Sequence, residues 1–184
     1  AQERTIAASA LLVINGDLPY EQRYGLRVLV TGNLDRSEMV ALLAELFARR
    51  AETDASPIHV VLGGSADTGL LATVVRGADE AGRGVLAQTR LSVLDRCPTP
   101  LVLCAAFGKR HGLDVEIQTA DFLSQDKPAP ADIVVIHSVF RFIPHAHRRL
   151  RLERLMAWLK PDGKLVFSMS FGWRGGGRGA RAIE

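Results

Sequence analysis

The residues best suited to chemistry in this sequence lie in a run of small residues, Gly63-Gly64-Ser65-Ala66-Asp67-Thr68-Gly69. An apolar stretch, His59 to Leu62, precedes this run, and a helical pattern follows it from Leu70. A glycine-rich turn between a strand and a helix points backbone N–H groups at whatever lies above the sheet edge, and the helix N-terminus adds a positive dipole end. The run therefore predicts a site for a nucleotide-like ligand.

Three further candidate positions end apolar stretches later in the chain. They are Asp95, the pair Asp121-Phe122 and the pair His137-Ser138. Asp95 follows the loop by about 25 to 30 residues, close to where a dinucleotide-type fold needs a carboxylate for the two ribose hydroxyls. We expect all four positions to be neighbours, because right-handed crossovers place every loop that follows a parallel strand on one edge of the sheet.

The elements that must position these residues alternate between strands and helices. Predicted strands are His59–Gly63, Leu91–Asp95, Val115–Thr119, Asp132–His137 and Lys164–Met169. The first predicted helix runs from Asp35, which forms a capping box with Glu38, to Arg50. The second begins at Leu70 and has its end marked by Gly77, Gly82 and Gly84, and the third runs from Pro98 to Gly112. The fourth runs from Arg148 to Lys160, and its buried side consists of Leu152, Leu155, Met156 and Leu159. This alternation predicts a three-layer, doubly wound α/β fold with a mostly parallel sheet.

Length and composition predict a single domain of 184 residues without a membrane span. We expect residues 1–57 to form an N-terminal helical or cap segment, 58–171 a ligand-binding core, and 172–184 a flexible tail rich in Gly and Arg. The two cysteines, Cys97 and Cys104, fit neither a disulfide framework nor a metal cluster. They indicate a reducing compartment, so we expect a cytoplasmic protein.

From Ile58 to Phe171 the sequence resembles the class I S-adenosylmethionine-dependent methyltransferases. The resemblance depends on four features in the right order: the loop 63–69, Asp95, the step Ala120-Asp121-Phe122, and the run Leu159-Lys160-Pro161-Asp162-Gly163-Lys164-Leu165-Val166. That last run looks like the Leu-Lys-Pro-Gly-Gly sequence that precedes the fifth strand in this family. The resemblance implies a Rossmann-like fold, S-adenosylmethionine as cofactor, and methyl transfer to a small molecule.

The resemblance also implies a role for each candidate residue. The cofactor-binding set is Gly63, Gly64, Ser65, Ala66, Asp67, Asp95, Arg96, Cys97, Asp121, Phe122, His137 and Ser138. Within it the small residues 63–66 would approach the methionine portion, and Asp95 would bind the ribose. Asp121 and Phe122 would contact the adenine, against which Cys97 forms an apolar wall.

Simpler structural roles exist for the acidic members of this set. The family's loop has an acidic residue followed by Gly-x-Gly-x-Gly, whereas this sequence has Gly63, Ser65 and Asp67 at the acidic and first two glycine positions. Asp67 either pairs with the cofactor's ammonium group or caps the helix that begins at Thr68. Asp95 could likewise cap a helix, and Asp121 could be a turn residue.

His137 is the candidate general base, with a buried structural histidine as the alternative. His145 and His147 lack a carboxylate or cysteine partner at ligand spacing, so we expect them to be solvated and predict no metal. The segment Ser138–Phe142 stands where an Asn-Pro-Pro-Tyr step would indicate methylation of an amine on a base or glutamine. Phe140 and Phe142 line an acceptor pocket or simply pack.

The tail from Gly172 to Arg181 has the composition of an RNA-binding Arg-Gly segment, or of a flexible remnant. It shows no pattern for the antiparallel hairpin that completes the sheet in class I methyltransferases. Either the C-terminal edge is shortened, or the chain omits residues, or Arg27–Thr31 fills the edge. Two alternatives to a small-molecule enzyme follow: a cofactor-binding protein without turnover and an RNA methyltransferase. The sequence does not indicate an oligomeric state.

Overall fold

The structure of this chain is a computed structural model that describes residues 36–64, 67–121, 130–137, 139–140, 143–168 and 181–183. The helices are α1 (Ser37–Thr53), α2 (Gly69–Glu80), α3 (Pro98–His111) and α4 (Arg148–Met156). The strands are β1 (Ile58–Gly63), β2 (Thr89–Asp95), β3 (Val115–Thr119), β4 (Ala131–His137), β5 (Leu159–Ser168) and β6 (Arg181–Ile183). None of the helices in these ranges is long and apolar enough to cross a lipid bilayer.

All six strands belong to one sheet in the order β3-β2-β1-β4-β5-β6. Neighbouring strands from β3 to β5 run parallel, whereas β6 is antiparallel to β5. The central strands β1 and β4 are buried along almost their whole length, as expected of apolar strands in a parallel sheet. The predicted, mostly parallel α/β sheet is therefore confirmed.

Both faces of the sheet are covered by helices, which confirms the three layers. One face packs against α1, α2 and α3, and the other against α4 and the segment that follows β4. Sheet residues of the first core are Ile58, Val60, Leu62, Leu91, Val93, Ile133, Val135 and Val166, and helix residues include Leu43, Phe47, Leu71, Val74 and Leu101. The second core contains Val61, Leu94, Val134, Ile136, Leu165, Phe140, Ile143, Leu155 and Trp158. The alternation of the two sets along each strand follows from the two-residue period of a strand.

Helices α1 and α2 approach closely at Gly77, which corrects one sequence-based boundary. We expected Gly77 to mark the end of the helix, but α2 continues to Glu80. A Cβ atom at Gly77 would lie 2.7 Å from the Cβ of Leu43 in α1. The glycine is therefore a packing position between two helices and not a helix stop. The start of α1 also differs, because Arg36 is its N-cap residue and Asp35 lies outside the described residues.

The end of α4 is a second correction. The predicted helix continued to Lys160, whereas α4 ends at Met156, which is 41% exposed instead of buried. Leu159 is the first residue of β5 and is paired with Ala131, while the next pairing joins Lys164 to Ile133. Pairing with β4 thus outweighs the helical periodicity. The irregular stretch between these pairs includes Asp162, whose φ of 66° is left-handed.

One buried carboxylate, that of Asp132, lies where β1 and β4 begin, at the edge of the sheet opposite the carboxyl ends of the parallel strands. Asp132 is 5% exposed and accepts hydrogen bonds from Arg50 Nε at 2.6 Å, from Lys160 Nζ at 2.7 Å and from the His59 N–H at 2.8 Å. Burial raises the pKa of Asp132, but the bonds from Lys160, His59 and Arg50 outweigh it, so that the pKa lies below its usual value. This cluster joins α1, β1, β4 and β5.

On the C-terminal side, β6 is the outermost strand of the described sheet. Its residues Arg181, Ala182 and Ile183 are opposite Phe167, Val166 and Leu165 of β5. Three residues of the expected flexible tail therefore form a strand. The segment Arg27–Thr31, considered above for this edge, lies outside the described residues, as does most of the tail.

Candidate active site

Two backbone hydrogen bonds join the ends of β1, β2 and β3. The Gly64 N–H donates to the carbonyl of Leu94 at 3.1 Å, and the Ala120 N–H donates to the carbonyl of Asp95 at 2.9 Å. The turn after β1, the carboxylate of Asp95 and the residue that follows Ala120 consequently lie side by side. The structure thus brings together three of the four strand ends that the sequence singled out.

The chain leaves the sheet after Gly63 through a turn that requires glycine. Gly63 is the last residue of β1, and Gly64 has a φ of 74° in the left-handed region, which only glycine adopts without strain. The turn therefore presents backbone without a side chain, which suits close approach of a ligand. Ser65 and Ala66, the next two predicted contacts, lie outside the described residues.

Asp67 is only 8% exposed, and its carboxylate is engaged with α2. Its Oδ1 accepts a hydrogen bond of 2.7 Å from the N–H of Gly69, the first residue of the helix. Within the described ranges, the hydroxyl of Thr68 makes no such capping bond. This geometry agrees with the capping role considered above, and the pairing of Asp67 with an ammonium group stays a prediction.

Asp95 ends β2 and is half-buried at the start of α3. Its Oδ1 accepts a hydrogen bond of 2.8 Å from the N–H of Cys97, the N-cap residue of a helix whose first residue is Pro98. Asp95 therefore stabilises the turn into α3, as a strand-terminal aspartate often does. The neighbouring Arg96 is exposed and Cys97 is half-buried. Binding of the ribose by Asp95 stays a prediction alongside this turn.

Asp121 follows Ala120 and is exposed at the same edge. The hydrogen bond from Ala120 to Asp95 places it next to the carboxyl end of β2. Contact of Asp121 with the adenine stays a prediction. Its predicted partner Phe122 lies outside the described residues.

His137 is the last residue of β4 and is half-buried, one strand away from the Gly64 turn. It therefore lies at the same edge of the sheet as the Gly64 turn, and its role as general base stays a prediction. Ser138 and Phe142 lie outside the described residues. Phe140 is buried and its ring lies 5.4 Å from that of Phe167, so it packs in the second core. His145 and His147 are exposed, as expected.

A buried thiol lies close to both carboxylates of the site. Burial, helped by the charges of Asp67 and Asp95, raises the pKa of Cys104 to about 12. The Sγ of Cys104 lies 3.9 Å from the carbonyl oxygen of Asp67. The thiol therefore stays neutral and packs as a small apolar group next to the backbone of Asp67.

Sequence reasoning missed one charged residue at the site, Arg36. Its Nη1 lies 3.4 Å from the hydroxyl of Thr73 in the first turns of α2. A Cβ atom at Gly69 would lie 2.9 Å from the same Nη1 and 2.8 Å from Asp67 Oδ1. Gly69 therefore lies where two side-chain atoms of opposite charge approach too closely to leave room for a Cβ atom. No local signal could have found this, because the residues are far apart in the sequence.

The part of the chain that the structure describes holds no group of three or more His, Cys, Asp or Glu side chains suited to a metal ion. The polar groups that it does gather are glycine backbone, single carboxylates, which accept hydrogen bonds, and a guanidinium, which donates them. Such groups fit an uncharged or zwitterionic organic ligand with hydroxyl groups.

Comparison with models of protein families and with curated proteins finds no match. Solved structures of methyltransferases do match. The plantazolicin methyltransferase BpumL, crystallised with a pentazolic desmethylPZN analog and SAH, gives a TM-score of 0.57 at 10% identity, covering 92% of this chain and 60% of that chain. N-methyltransferase NodS from Bradyrhizobium japonicum, in complex with S-adenosyl-l-homocysteine, gives 0.55 at 19% identity, covering 74% and 63%.

A third structure, an S-adenosylmethionine-dependent methyltransferase from Clostridium acetobutylicum, gives a TM-score of 0.55 at 11% identity and covers 82% of this chain and 57% of that chain. This chain therefore spans less than two thirds of the length of each of the three proteins. Sequence identities this low support a shared fold but do not indicate a shared substrate. The chain has the Rossmann-like fold of the class I S-adenosylmethionine-dependent methyltransferases.

Proposed function

We propose that this chain binds S-adenosylmethionine above the carboxyl ends of β1, β2 and β3 and transfers its methyl group to a small-molecule acceptor. The observation that carries the proposal is the pair of backbone bonds, Gly64 to Leu94 and Ala120 to Asp95, which gathers a side-chain-free turn and two aspartates at one edge. The structural neighbours BpumL and NodS, both crystallised with S-adenosylhomocysteine, support the same choice of ligand.

Each residue of the edge has a separate task in this proposal. Asp95 accepts hydrogen bonds from the ribose hydroxyls, and the turn formed by residues 63–66 lies against the methionine portion. Asp121 and Phe122 contact the adenine, whose outer face lies against Arg96 and Cys97. Asp67 carries a negative charge close to the ammonium group.

The bound cofactor supplies a methyl group that is already activated by a positively charged sulfur. The chain itself has to align the acceptor with that methyl group and keep water out. Where the accepting oxygen or nitrogen carries a proton, His137 takes it up as general base, and Ser138 lies beside it in the sequence. The acceptor therefore approaches from the end of β4.

Isothermal titration with S-adenosylhomocysteine tests the binding step. We expect wild-type protein to bind, and Asp95→Asn to bind about ten- to hundredfold more weakly, because a charged hydrogen-bond acceptor for the ribose is lost. The amide oxygen of the introduced asparagine can still accept the Cys97 N–H, so the turn into α3 survives. The matched control is Asp79→Asn, an exposed aspartate of α2. No binding by the wild type, or equal binding by the Asp95 variant, would refute the proposal.

A second candidate is cofactor binding without turnover. It is favoured by Asp67, which stands at a loop glycine position of the family and whose carboxylate is bonded to Gly69. Incubation with methyl-labelled cofactor and fractionated metabolites separates the two. Label in a small product supports the enzyme, whereas tight binding with no label in any fraction supports the second candidate, and label in RNA would indicate the nucleic-acid alternative.

We also propose that the protein works in the cytoplasm. The support is the state of Cys97 and Cys104, which form no disulfide in the part of the chain that the structure describes. Fractionation of the source cells with a cytoplasmic marker protein tests this location. Recovery with an oxidising compartment would contradict it.

A further inference from the structure

A cation lies on the core-facing side of α4, where that helix begins. Arg148, Leu152 and Leu155 follow one another at helical spacing, so their side chains share one face of the helix. Leu155 is buried in the second core, and Leu152 packs against that core. Arg148 is half-buried, and its Nε donates a hydrogen bond of 3.1 Å to the carbonyl of Ile143. The guanidinium is therefore held in place at the end of an apolar face.

The beginning of α4 lies at the same edge of the sheet as the strand ends of the candidate site. Because β4 and β5 are parallel, the helix between them runs back against the strand direction, and its first residues lie near the carboxyl ends of the strands. His137 ends β4 at this edge. Arg148 consequently lies on the side from which the acceptor approaches in the proposed function.

Within the described ranges the guanidinium of Arg148 forms no ion pair with a carboxylate, whereas Arg149 lies 3.6 Å from Glu153. Residues 143–152 contain three arginines and two histidines but neither Asp nor Glu. A guanidinium that is partly removed from water is stabilised by an anion. The two Nη groups are not used by the bond to Ile143, and they can bind a planar anion through two parallel hydrogen bonds.

The carboxylates of the candidate site belong to the other strand ends of this edge. Asp67, Asp95 and Asp121 follow or end β1, β2 and β3. These acidic side chains suit a cofactor whose sulfur is positively charged. The basic segment 143–152, which follows β4, suits an acceptor of the opposite charge.

We propose that Arg148 binds an anionic group of the methyl acceptor, so that the acceptor is a small molecule with a carboxylate or a phosphate. This inference rests on the proposed function and names the chemical class of its acceptor. A neutral analogue of the same shape would leave the guanidinium unpaired, which makes Arg148 a specificity-determining residue. The charge of the bound anion does not change while the methyl group moves, so Arg148 should act on acceptor binding and not on the transfer step.

Methylation of fractionated metabolites tests the acceptor class. Metabolites freed of macromolecules by ultrafiltration are separated on an anion exchanger, and each fraction is incubated with methyl-labelled cofactor and wild-type protein. We expect label from the retained, anionic fraction and none from the unretained one. Arg148→Gln should raise the apparent KM for the retained acceptor about tenfold or more and change kcat less than about threefold, since a charge-assisted hydrogen bond is lost on binding. Arg148→Lys should recover part of the KM, because it restores the charge without the fork.

A second measurement needs no acceptor. Protein saturated with S-adenosylhomocysteine is titrated at low ionic strength with inorganic phosphate and, separately, with benzoate. We expect the wild type to bind at least one of them and Arg148→Gln to bind it about fivefold more weakly or worse. The anion that binds better distinguishes a phosphate from a carboxylate. Arg149→Gln is the control, because Arg149 is an exposed arginine of the same helix whose partner is Glu153. It should match the wild type, and all variants should bind S-adenosylhomocysteine within about twofold of it, which shows that they are folded.

Label from the unretained fraction would overturn the proposal, and so would an unchanged KM in Arg148→Gln. Failure of the wild type to bind either anion, or equal binding by Arg148→Gln, would do the same while leaving the proposed function intact. If the wild type binds S-adenosylhomocysteine but transfers label to neither fraction, the proposed methyl transfer fails, and the anion titrations still decide whether Arg148 forms an anion site.

Discussion

The carbonyl of Asp95 accepts a hydrogen bond of 2.9 Å from the N–H of Ala120, while its side chain accepts one of 2.8 Å from the N–H of Cys97. One residue thus fixes the ends of two strands and the beginning of α3. Its side chain has a structural task that can be measured without any ligand, separately from the binding role proposed above.

Replacement of Asp95 by alanine should lower the free energy of unfolding by about 1 kcal/mol, the usual cost of losing a capping acceptor. Asp95→Asn should lower it less, because the amide oxygen still accepts the Cys97 N–H. Urea unfolding of the ligand-free protein measures both. Asp79→Ala in α2 serves as control, and equal losses for the alanine and asparagine variants of Asp95 would argue against the turn.

Asp132 should contribute more to stability than any exposed acid. Asp132→Ala leaves Arg50 and Lys160 without their shared carboxylate, and we expect a loss of about 3 kcal/mol, the lower end for a buried pair since Lys160 is partly exposed. Asp54→Ala removes an exposed partner of the same Arg50 and should cost clearly less, because exposed ion pairs contribute little to stability. Chemical denaturation of both variants compares them; similar losses would contradict the ranking.

The same carboxylate should make stability depend on pH at the acidic end. The pKa of Asp132 is lowered in the folded state, so its contribution is complete above its unfolded pKa of about 3.9 and is lost as pH falls through the folded value. The difference in unfolding free energy between wild type and Asp132→Asn should therefore shrink below about pH 4. Hydrogen bonds also lower the pKa values of Asp54 and Glu116, but the wild type and Asp132→Asn both keep these groups, so their direct contribution cancels in the difference. A constant difference down to about pH 2.5 would contradict this assignment.

Gly77→Ala should destabilise the protein although alanine is the better helix former. The new methyl group would lie 2.7 Å from Leu43 Cβ, and such overpacking costs about 1 to 3 kcal/mol against a propensity gain of about 1 kcal/mol. The additional substitution Leu43→Ala keeps the Cβ atom of residue 43 but removes the rest of its side chain. Helices α1 and α2 can then shift to accommodate the new methyl group. In a double-mutant cycle of thermal unfolding we expect Gly77→Ala to cost less in the Leu43→Ala background. An unchanged cost would contradict overpacking against the Leu43 side chain.

The two cysteines should differ in reactivity. Because burial raises the pKa of Cys104 to about 12, its thiol stays protonated at pH 8, and the side chain is also shielded from the reagent. Iodoacetamide should therefore label Cys97 in the native protein and Cys104 only after unfolding. Peptide mass spectrometry with and without guanidinium measures the labelling of each cysteine. Labelling of Cys104 in the native protein would contradict its burial.

Much of the fold was predictable because its determinants are local. The strand ends at Gly63, Asp95 and His137 follow apolar runs whose length and composition mark buried strands, and topology then brings these ends to one edge. The start of α3 at Pro98 and its end at Gly112, which has a φ of 66°, follow from the conformational limits of those two residues.

The errors and omissions concern contacts between distant elements. The sequence around Gly77 predicts the end of a helix, and only the contact with Leu43 of another helix shows that it is a packing position. Leu159 fits a helical pattern in the sequence, but in the structure it pairs with Ala131 as part of a strand. Arg36 and Thr73 likewise meet only because α1 and α2 pack together. Periodicity reports which face of an element is apolar, but it does not report which element that face meets.

The short strand β6 has a consequence for the behaviour of the protein at high concentration. Its pairing with Leu165, Val166 and Phe167 makes the three-residue β6, and not the ten-residue β5, the outermost strand on this side of the described sheet. A long apolar edge strand can pair with strands of other molecules, whereas a very short one offers few backbone groups for such pairing. We therefore expect residues 181–183 to limit edge-to-edge association of the sheet.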